Sequence, residues 1–121
     1  MSTTNTQGTA LVTGASSGLG AVYADRLASR GFDLILVARR VERLGVLAKS
    51  LAEKYGVAVR AMAADLSAPA DLQRVADELA SNPAITMLVN NAGASTLAPV
   101  VDTARAGIAT MDKVNVTALA E

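Results

Sequence analysis

With 121 residues, 51% of them hydrophobic, the chain is long and apolar enough for one domain with one core, and it is not a disordered chain. Its net charge at pH 7 is zero and it has no basic run, which argues against nucleic acid or an anionic membrane as a partner. Neither Cys nor His occurs, which excludes disulfides, thiol and imidazole catalysis and most zinc sites, so we expect a cytoplasmic protein without a metal.

The first residues of the chain are polar and carry no basic group, and no apolar stretch approaches the roughly 20 residues that a membrane span needs. We therefore expect neither a signal peptide nor insertion into a membrane.

Strand-like and helix-like segments alternate from there on. Short apolar runs predict strands over residues 9–13, 33–38, 57–64 and 85–89. Apolar residues at helical spacing predict helices over 18–29, 40–55 and 99–111, a helix that starts near Ser67 and Pro69, and the beginning of another over 114–121.

This alternation predicts an α/β fold, a doubly wound parallel sheet in a single domain over residues 1–121. Right-handed crossovers give the strand order 3-2-1-4, and ligands of such sheets lie beyond the carboxyl ends of the strands where the order reverses, here between strands one and four. Strand four is central in a complete sheet of this kind, so we expect it to be an open edge in this chain, prone to association.

A glycine-rich turn, Thr13-Gly14-Ala15-Ser16-Ser17-Gly18-Leu19-Gly20, joins the first strand to the first helix. A pyrophosphate at this turn would meet backbone N–H groups and the positive end of the helix dipole, and glycines leave room for its approach. The alternative is a tight strand-to-helix turn without a ligand. The predicted dinucleotide contacts in the turn are Gly14, Ser16, Ser17, Gly18, Leu19 and Gly20.

The G-x-x-x-G-x-G spacing of this turn resembles the glycine motif T-G-x-x-x-G-x-G of the short-chain dehydrogenase/reductase family. Three further stretches are similar to motifs of that family: Asp65-Leu66, Asn90-Asn91-Ala92-Gly93 and Val114-Asn115-Val116. The resemblance runs from about Gly8 to Glu121. It implies a Rossmann-type NADP-binding domain of an oxidoreductase that interconverts a hydroxyl and a carbonyl on a small molecule.

The resemblance also implies roles for single residues. Asp65 and Leu66 would contact adenine, although Asp65 could instead cap the following loop. Asn91, Ala92 and Gly93 would lie at the cofactor, and of the two amides, Asn90 and Asn91, we expect at least one to hold strands together. Asn115 would be the catalytic-helix Asn of the family, or else a plain polar helix residue.

The end of the second strand indicates which cofactor is used. NAD enzymes carry an acidic residue there, about 20 residues after the glycines, to bind the ribose 2′-hydroxyl. This chain has Arg39, with Arg40 beside it. A guanidinium can bind a 2′-phosphate, which a carboxylate would repel, so the sequence predicts NADP. The alternative is that both Arg residues are solvated in the first turn of the second helix.

The resemblance further implies a Ser and a Tyr-x-x-x-Lys pair contributed after strand five. Tyr23 is followed four positions later by Leu27 and Tyr55 by Val59, so neither forms the pair. We therefore expect this chain to be the N-terminal part of a longer enzyme, a homodimer or homotetramer. The alternatives are a non-catalytic dinucleotide-binding or regulatory module and a structural fragment without ligand affinity.

Overall fold

A computed structural model describes residues 8–15, 18–91 and 109–112 of the chain. In these residues strands and helices alternate until the last strand. The elements are β1 Thr9–Thr13, α1 Gly18–Ser29, β2 Asp33–Ala38, α2 Val41–Tyr55, β3 Val59–Ala63, α3 Pro69–Ser81, β4 Ile85–Asn90 and β5 Ala109–Asp112.

The strands form one sheet in the order β3-β2-β1-β4-β5, and every neighbouring pair is parallel. The predicted doubly wound parallel sheet and its 3-2-1-4 order are therefore confirmed. The chain starts in the middle of the sheet at β1, moves outward to β3, and then crosses back to β4 on the other side of β1. This crossing places the reversal of strand order between β1 and β4.

Each face of the sheet is packed against helices. Alternate residues of the strands, such as Val12 and Leu36, lie in one apolar cluster with α1 and α2, which contribute Leu27 and Leu44. The residues between them in β1 and β2 face α3 on the opposite side, where Val75 is fully buried. Because β1 and β2 are covered on both faces, they are continuous apolar runs, as predicted.

Several predicted boundaries differ by a few residues. The second helix begins at Val41, with Arg40 as its extended N-cap, and the third begins at Pro69, with Ala68 as its N-cap. The third strand is shorter than the predicted 57–64, and β4 continues to Asn90. The bounds of β1, α1 and β2 in the structure are the same as those predicted.

The predicted helix over 99–111 is wrong at residues 109–111, which belong to the strand β5. This strand pairs with β4, Met87 with Ala109 and Asn90 with Asp112, so the expected open edge at β4 is also wrong. The backbone groups along β4 need partners, and a parallel strand supplies them. The remaining part of the predicted helix, 99–108, and the predicted helix over 114–121 lie outside the described residues.

Candidate functional site

The carboxyl ends of the parallel strands form one edge of the sheet. Thr13, the last residue of β1, is in register with Val37 of β2 and Asn90 of β4, while Ala38 is in register with Ala63 of β3. The residues that follow these strand ends are therefore neighbours along this edge. They are Gly14, Arg39, Ala64 and Asn91.

The turn after β1 is packed tightly against the sheet and against α1. Gly14 has φ +63°, in the left-handed region that residues with a Cβ rarely adopt. Ala15 is fully buried and donates its N–H to the carbonyl of Val37 at 3.1 Å. A Cβ on Gly20 would collide with the carbonyl of Gly14 and come within 2.9 Å of the Ala15 Cα. The turn itself therefore requires Gly14 and Gly20, with or without a ligand.

Gly18 is in a different environment from the other two glycines of the motif. It is exposed at the first turn of α1, and a Cβ on it would meet no described protein atom within 4 Å. The N–H groups of a first helical turn have no partner within the helix and carry partial positive charge. Among the described residues, the space beside Gly18 is thus open to an anionic group, and none of them requires the absence of a side chain there.

Two polar contacts connect the glycine turn to the end of β4. Asn91 donates from Nδ2 to the carbonyl of Gly14 at 3.1 Å. The hydroxyl of Thr13, which is fully buried, lies 3.3 Å from the carbonyl of Val89 and 3.5 Å from Oδ1 of Asn90. Asn91 therefore has a structural role, because it fixes the turn across the point where the strand order reverses.

Arg39 and Arg40 lie at the same edge, between β2 and α2, and both are exposed. Within the described part of the chain, neither guanidinium forms a salt bridge. Arg39 is nevertheless close enough to Asp65 for its charge to act on that carboxylate. Two exposed cations thus lie at the carboxyl edge of the sheet, at the end of β2, where a 2′-phosphate is predicted.

Asp65 lies just beyond β3, and its carboxylate is held by its own loop. Its Oδ1 accepts a hydrogen bond from the Ser67 N–H at 3.0 Å and another from the Ser67 hydroxyl at 2.7 Å. Its backbone N–H donates to Oδ2 of Asp71 at 2.8 Å. The hydrogen bonds from the Ser67 hydroxyl and N–H lower the pKa of Asp65, burial opposes this, and the Arg39 charge adds a smaller lowering. The carboxylate is therefore kept ionised.

The model of the short chain dehydrogenase family matches residues 8–121. The chain belongs to this family. Membership confirms the resemblance that the glycine turn and the later motifs indicated, and it makes the protein a member of an oxidoreductase family.

Curated relatives in the short-chain dehydrogenase family include an enzyme and an inactive protein. A very-long-chain 3-oxoacyl-CoA reductase of Scheffersomyces stipitis is 37% identical over 113 residues, covering 90% of this chain and 32% of the relative. The inactive hydroxysteroid dehydrogenase-like protein 1 of Homo sapiens is 39% identical over 84 residues, covering 69% of this chain and 26% of the relative.

Solved structures of the family have the same fold. A short-chain dehydrogenase from Sphingobium yanoikuyae in complex with NADPH is 55% identical, with a TM-score of 0.70 over 71% of this chain and 34% of that chain. A bulky-bulky ketone specific alcohol dehydrogenase from Comamonas testosteroni is 46% identical, with a TM-score of 0.71 over 74% of this chain and 37% of that chain. This chain thus spans about a quarter to a third of the length of its curated relatives and about a third of these structures.

The structure places the described residues of the predicted site at one edge of the sheet. Asn91, Arg39 and Asp65 lie with the glycine turn at one edge, and Leu19 is exposed on the first turn of α1. Leu66 packs against the apolar cluster on the α3 side of the sheet. Five further predicted site residues lie outside the described residues: Ser16, Ser17, Ala92, Gly93 and Asn115.

Sequence reasoning missed Ser67 and Asp71 as parts of this site. Ser67 was interpreted only as the start of the third helix, but its hydroxyl donates to Asp65 instead. The signal was present in the D-x-S spacing, which is typical of an Asx turn. Asp71 belongs to the first turn of α3 and reaches back to the Asp65 backbone, a contact that the sequence alone does not indicate.

An open depression lies at the opposite, amino edge of the sheet. It is bounded by the starts of β1, β2 and β3 and by α3, and its lining includes Asp33, Arg60 and Glu78. Arg60 and Glu78 pair with each other across it at 2.7 Å. Among the described residues no cluster of potential metal ligands occurs, and no described helix is long and apolar enough to cross a membrane.

Proposed function

We propose that the chain binds NADP(H) at the carboxyl edge of the sheet and forms the cofactor-binding part of an enzyme that interconverts a hydroxyl and a carbonyl. The observation that carries this proposal is the contrast between Gly20, where a side chain would collide with the turn, and Gly18, where it would meet open space at the first turn of α1. Open space at a helix N-terminus suits a pyrophosphate.

The residues of this edge suit the rest of the cofactor as well. Arg39 and Arg40 supply cations at the same edge of the sheet, after β2, where a 2′-phosphate on the adenosine ribose would lie. Asp65 supplies an ionised acceptor for the adenine amino group. Asn91 follows β4, on the side where the nicotinamide half would lie, and Ala92 and Gly93 come next in the sequence. Two similar solved structures support this assignment, because each is a complex with NADPH.

The bound nicotinamide would supply the hydride, and the protein would bind and orient it. The similar proteins include a very-long-chain 3-oxoacyl-CoA reductase and a ketone specific alcohol dehydrogenase. These similarities support a carbonyl compound or an alcohol as the substrate. From the family resemblance of Val114-Asn115-Val116, we also propose that Asn115 is the catalytic-helix Asn. A homodimer or homotetramer and a cytoplasmic location complete the proposal and rest on the resemblance and the composition.

A second candidate is a dinucleotide-binding module without catalysis. The observation that favours it is the similarity to a protein named as an inactive hydroxysteroid dehydrogenase-like protein. This candidate shares the cofactor site with the first and differs only in whether a carbonyl substrate is turned over.

The Gly18→Val variant tests the cofactor site that both candidates share. A Cβ on Gly18 meets no described protein atom within 4 Å, so we expect the fold to persist, but the branched side chain of Val would occupy the position of the pyrophosphate. We expect a fluorescence titration with NADPH to show loss of binding and circular dichroism to show unchanged helix content.

The matched control is Gly45→Val, which places the same side chain in open space on α2, away from the site. It should bind NADPH like the wild type. Unchanged NADPH affinity in Gly18→Val would contradict the assignment of the glycine turn, and no NADPH binding by the wild type would favour a fragment without ligand affinity.

A further inference from the structure

The loop that carries Asp65 is fixed from several directions. Both donors of Ser67, its N–H and its hydroxyl, point to the same carboxylate oxygen of Asp65, Oδ1. The Asp65 N–H is bound by Asp71, and the Asp65 carbonyl accepts the N–H of Ala68 at 2.9 Å. Asp71 is itself paired with Arg74 at 3.1 Å. Neither the backbone of Asp65 nor its side chain is therefore left to rotate freely.

The two oxygens of the Asp65 carboxylate are not equivalent. Oδ1 accepts two hydrogen bonds from Ser67, whereas no described residue donates one to Oδ2. Because Ser67 occupies Oδ1 and fixes the orientation of the carboxylate, Oδ2 is the acceptor that remains for a ligand. An ionised carboxylate is acceptor-only, so it favours a ligand group that donates and opposes one that accepts.

We propose that Ser67 is a positioning residue that makes the cofactor site select adenine over 6-oxopurines, by holding Asp65 so that Oδ2 alone faces the base. This inference rests on the proposed function, since it takes the cofactor to bind at this edge. The exocyclic amino group of adenine can donate to Oδ2. A 6-oxopurine has a carbonyl oxygen at the same position, which Oδ2 would repel.

The charged groups around Asp65 agree with this role. Arg39 faces it from the connection after β2, and Asp71 with its partner Arg74 approaches from α3. Ser67 has the largest influence on the pKa of Asp65, which its hydroxyl and N–H lower. Asp65 is therefore ionised at neutral pH, where the two bases are compared. Loss of the Ser67 hydroxyl should raise the pKa of Asp65.

The experiment compares NADP⁺ with its 6-oxo analogue, nicotinamide hypoxanthine dinucleotide phosphate, by calorimetry on the purified protein. The two cofactors carry the same 2′-phosphate, so its contribution cancels from the ratio of dissociation constants, which is measured at neutral pH. The variants are Ser67→Ala and Ser67→Thr, which retains the hydroxyl. Ser81→Ala is the control, because its hydroxyl also caps a nearby acceptor, the Asp77 carbonyl, at the far end of α3.

We expect the wild type, Ser67→Thr and Ser81→Ala to bind NADP⁺ about tenfold or more tightly than the analogue, as is typical when a polar site loses its hydrogen-bond partner. Ser67→Ala should reduce this ratio to less than about threefold and weaken NADP⁺ binding by a similar factor, because the Ser67 N–H alone no longer holds Oδ2 toward the amino group. Equal ratios in Ser67→Ala and the wild type would overturn the proposal, and so would a wild-type ratio near one.

If Ser67→Ala does not fold, Ser67→Gly, which also lacks the hydroxyl, takes its place. A ratio below about threefold in Ser67→Gly supports the proposal, and a ratio equal to that of the wild type overturns it. If the wild type binds neither cofactor, the proposed function fails and this inference fails with it. Tight binding of NADP⁺ without discrimination overturns only the inference.

Discussion

Arg39 occupies the position that decides between NADP and NAD in the proposed site. It is exposed, it has no salt-bridge partner among the described residues, and it lies near Asp65. In this setting the guanidinium serves two purposes. It is available to a 2′-phosphate, and after the stronger influence of Ser67 it also lowers the pKa of Asp65.

Substitution of Arg39→Asp should reverse the cofactor preference toward NADH. The change removes a cation that can bind a phosphate and supplies an acceptor for a 2′-hydroxyl. Loss of such a charge-assisted contact should cost about 1.5–3 kcal/mol of NADPH binding free energy. Titrations with NADPH and NADH measure both effects.

Arg30→Asp is the control for the change in net charge, because Arg30 is exposed after the end of α1, away from this edge. It should leave both affinities almost unchanged. If Arg39→Asp weakens NADPH binding by less than about threefold, which is below 1 kcal/mol, then Arg40 or another residue is the phosphate ligand.

At the residue scale the sequence predicted which residues lie at the carboxyl edge of the sheet. It did not predict which of them are needed for packing and which are available to a ligand. The three glycines of the motif look alike in sequence. Only the approach of α1 to the turn shows that Gly20 is needed for packing while Gly18 faces open space. For Asp65 the two interpretations left open by the sequence are compatible, because the loop cap uses Oδ1 and leaves Oδ2 for a ligand.

At the element scale, α1 and α2 lie side by side on one face of the sheet and are joined by a small polar cluster. The hydroxyl of Tyr55, the last residue of α2, donates to Oδ1 of Asp25 in α1 at 2.7 Å. Lys54 lies 3.7 Å from the same oxygen. Hydrogen bonding to Tyr55, followed by the charge of Asp25, raises the pKa of Lys54. This cluster fixes α2 relative to the helix that begins at the glycine turn.

Tyr55→Phe should lower the free energy of unfolding by about 1 kcal/mol, because it removes one partly buried hydrogen bond and keeps the ring. Denaturant unfolding at neutral pH measures the change. A double-mutant cycle with Asp25→Ala provides the control, since the two substitutions should be less than additive if they remove the same contact. Strict additivity would contradict a direct Tyr55–Asp25 interaction.

Elements with strong local signals were predicted correctly, and the one large error was a tertiary effect. Residues 9–13, 18–29 and 33–38 form the predicted elements because their apolar spacing agrees with the packing on both faces. The predicted helix over 99–111 has a weak helical pattern, because it contains Gly107 and the β-branched Thr110. Pairing with the edge of β4 outweighs that local preference, and a local pattern cannot indicate it.

At the scale of the whole molecule, β5 covers the edge of the sheet that β4 would otherwise expose. Association was expected from an open edge at β4, but β4 has a neighbour on each side. In the described part of the chain, the outer strands of the sheet are β3 and β5. The residues of β3 alternate between partly buried and exposed along most of its length, and it carries the charged Arg60, features that protect an edge against pairing with other chains.

The 121 residues should bind NADPH but should not reduce a carbonyl substrate. The chain has no His and no Cys, and each of its two tyrosines has a structural role. Tyr23 is fully buried in the cluster between the sheet and α1, and the Tyr55 hydroxyl donates to Asp25. Neither is followed by Lys at the spacing that the family resemblance implies. Without a general acid, turnover should be slower by about 10²–10⁴-fold.

The assay follows oxidation of NADPH by the purified 121-residue chain with a panel of ketones and aldehydes, next to a titration that shows the cofactor is bound. A family member that contains the Tyr-x-x-x-Lys pair is the positive control. We expect saturable NADPH binding and no oxidation above the rate without protein. Clear turnover would mean that a proton donor for the reaction lies within these residues, and the mapping of the family's catalytic groups onto this chain would then be wrong.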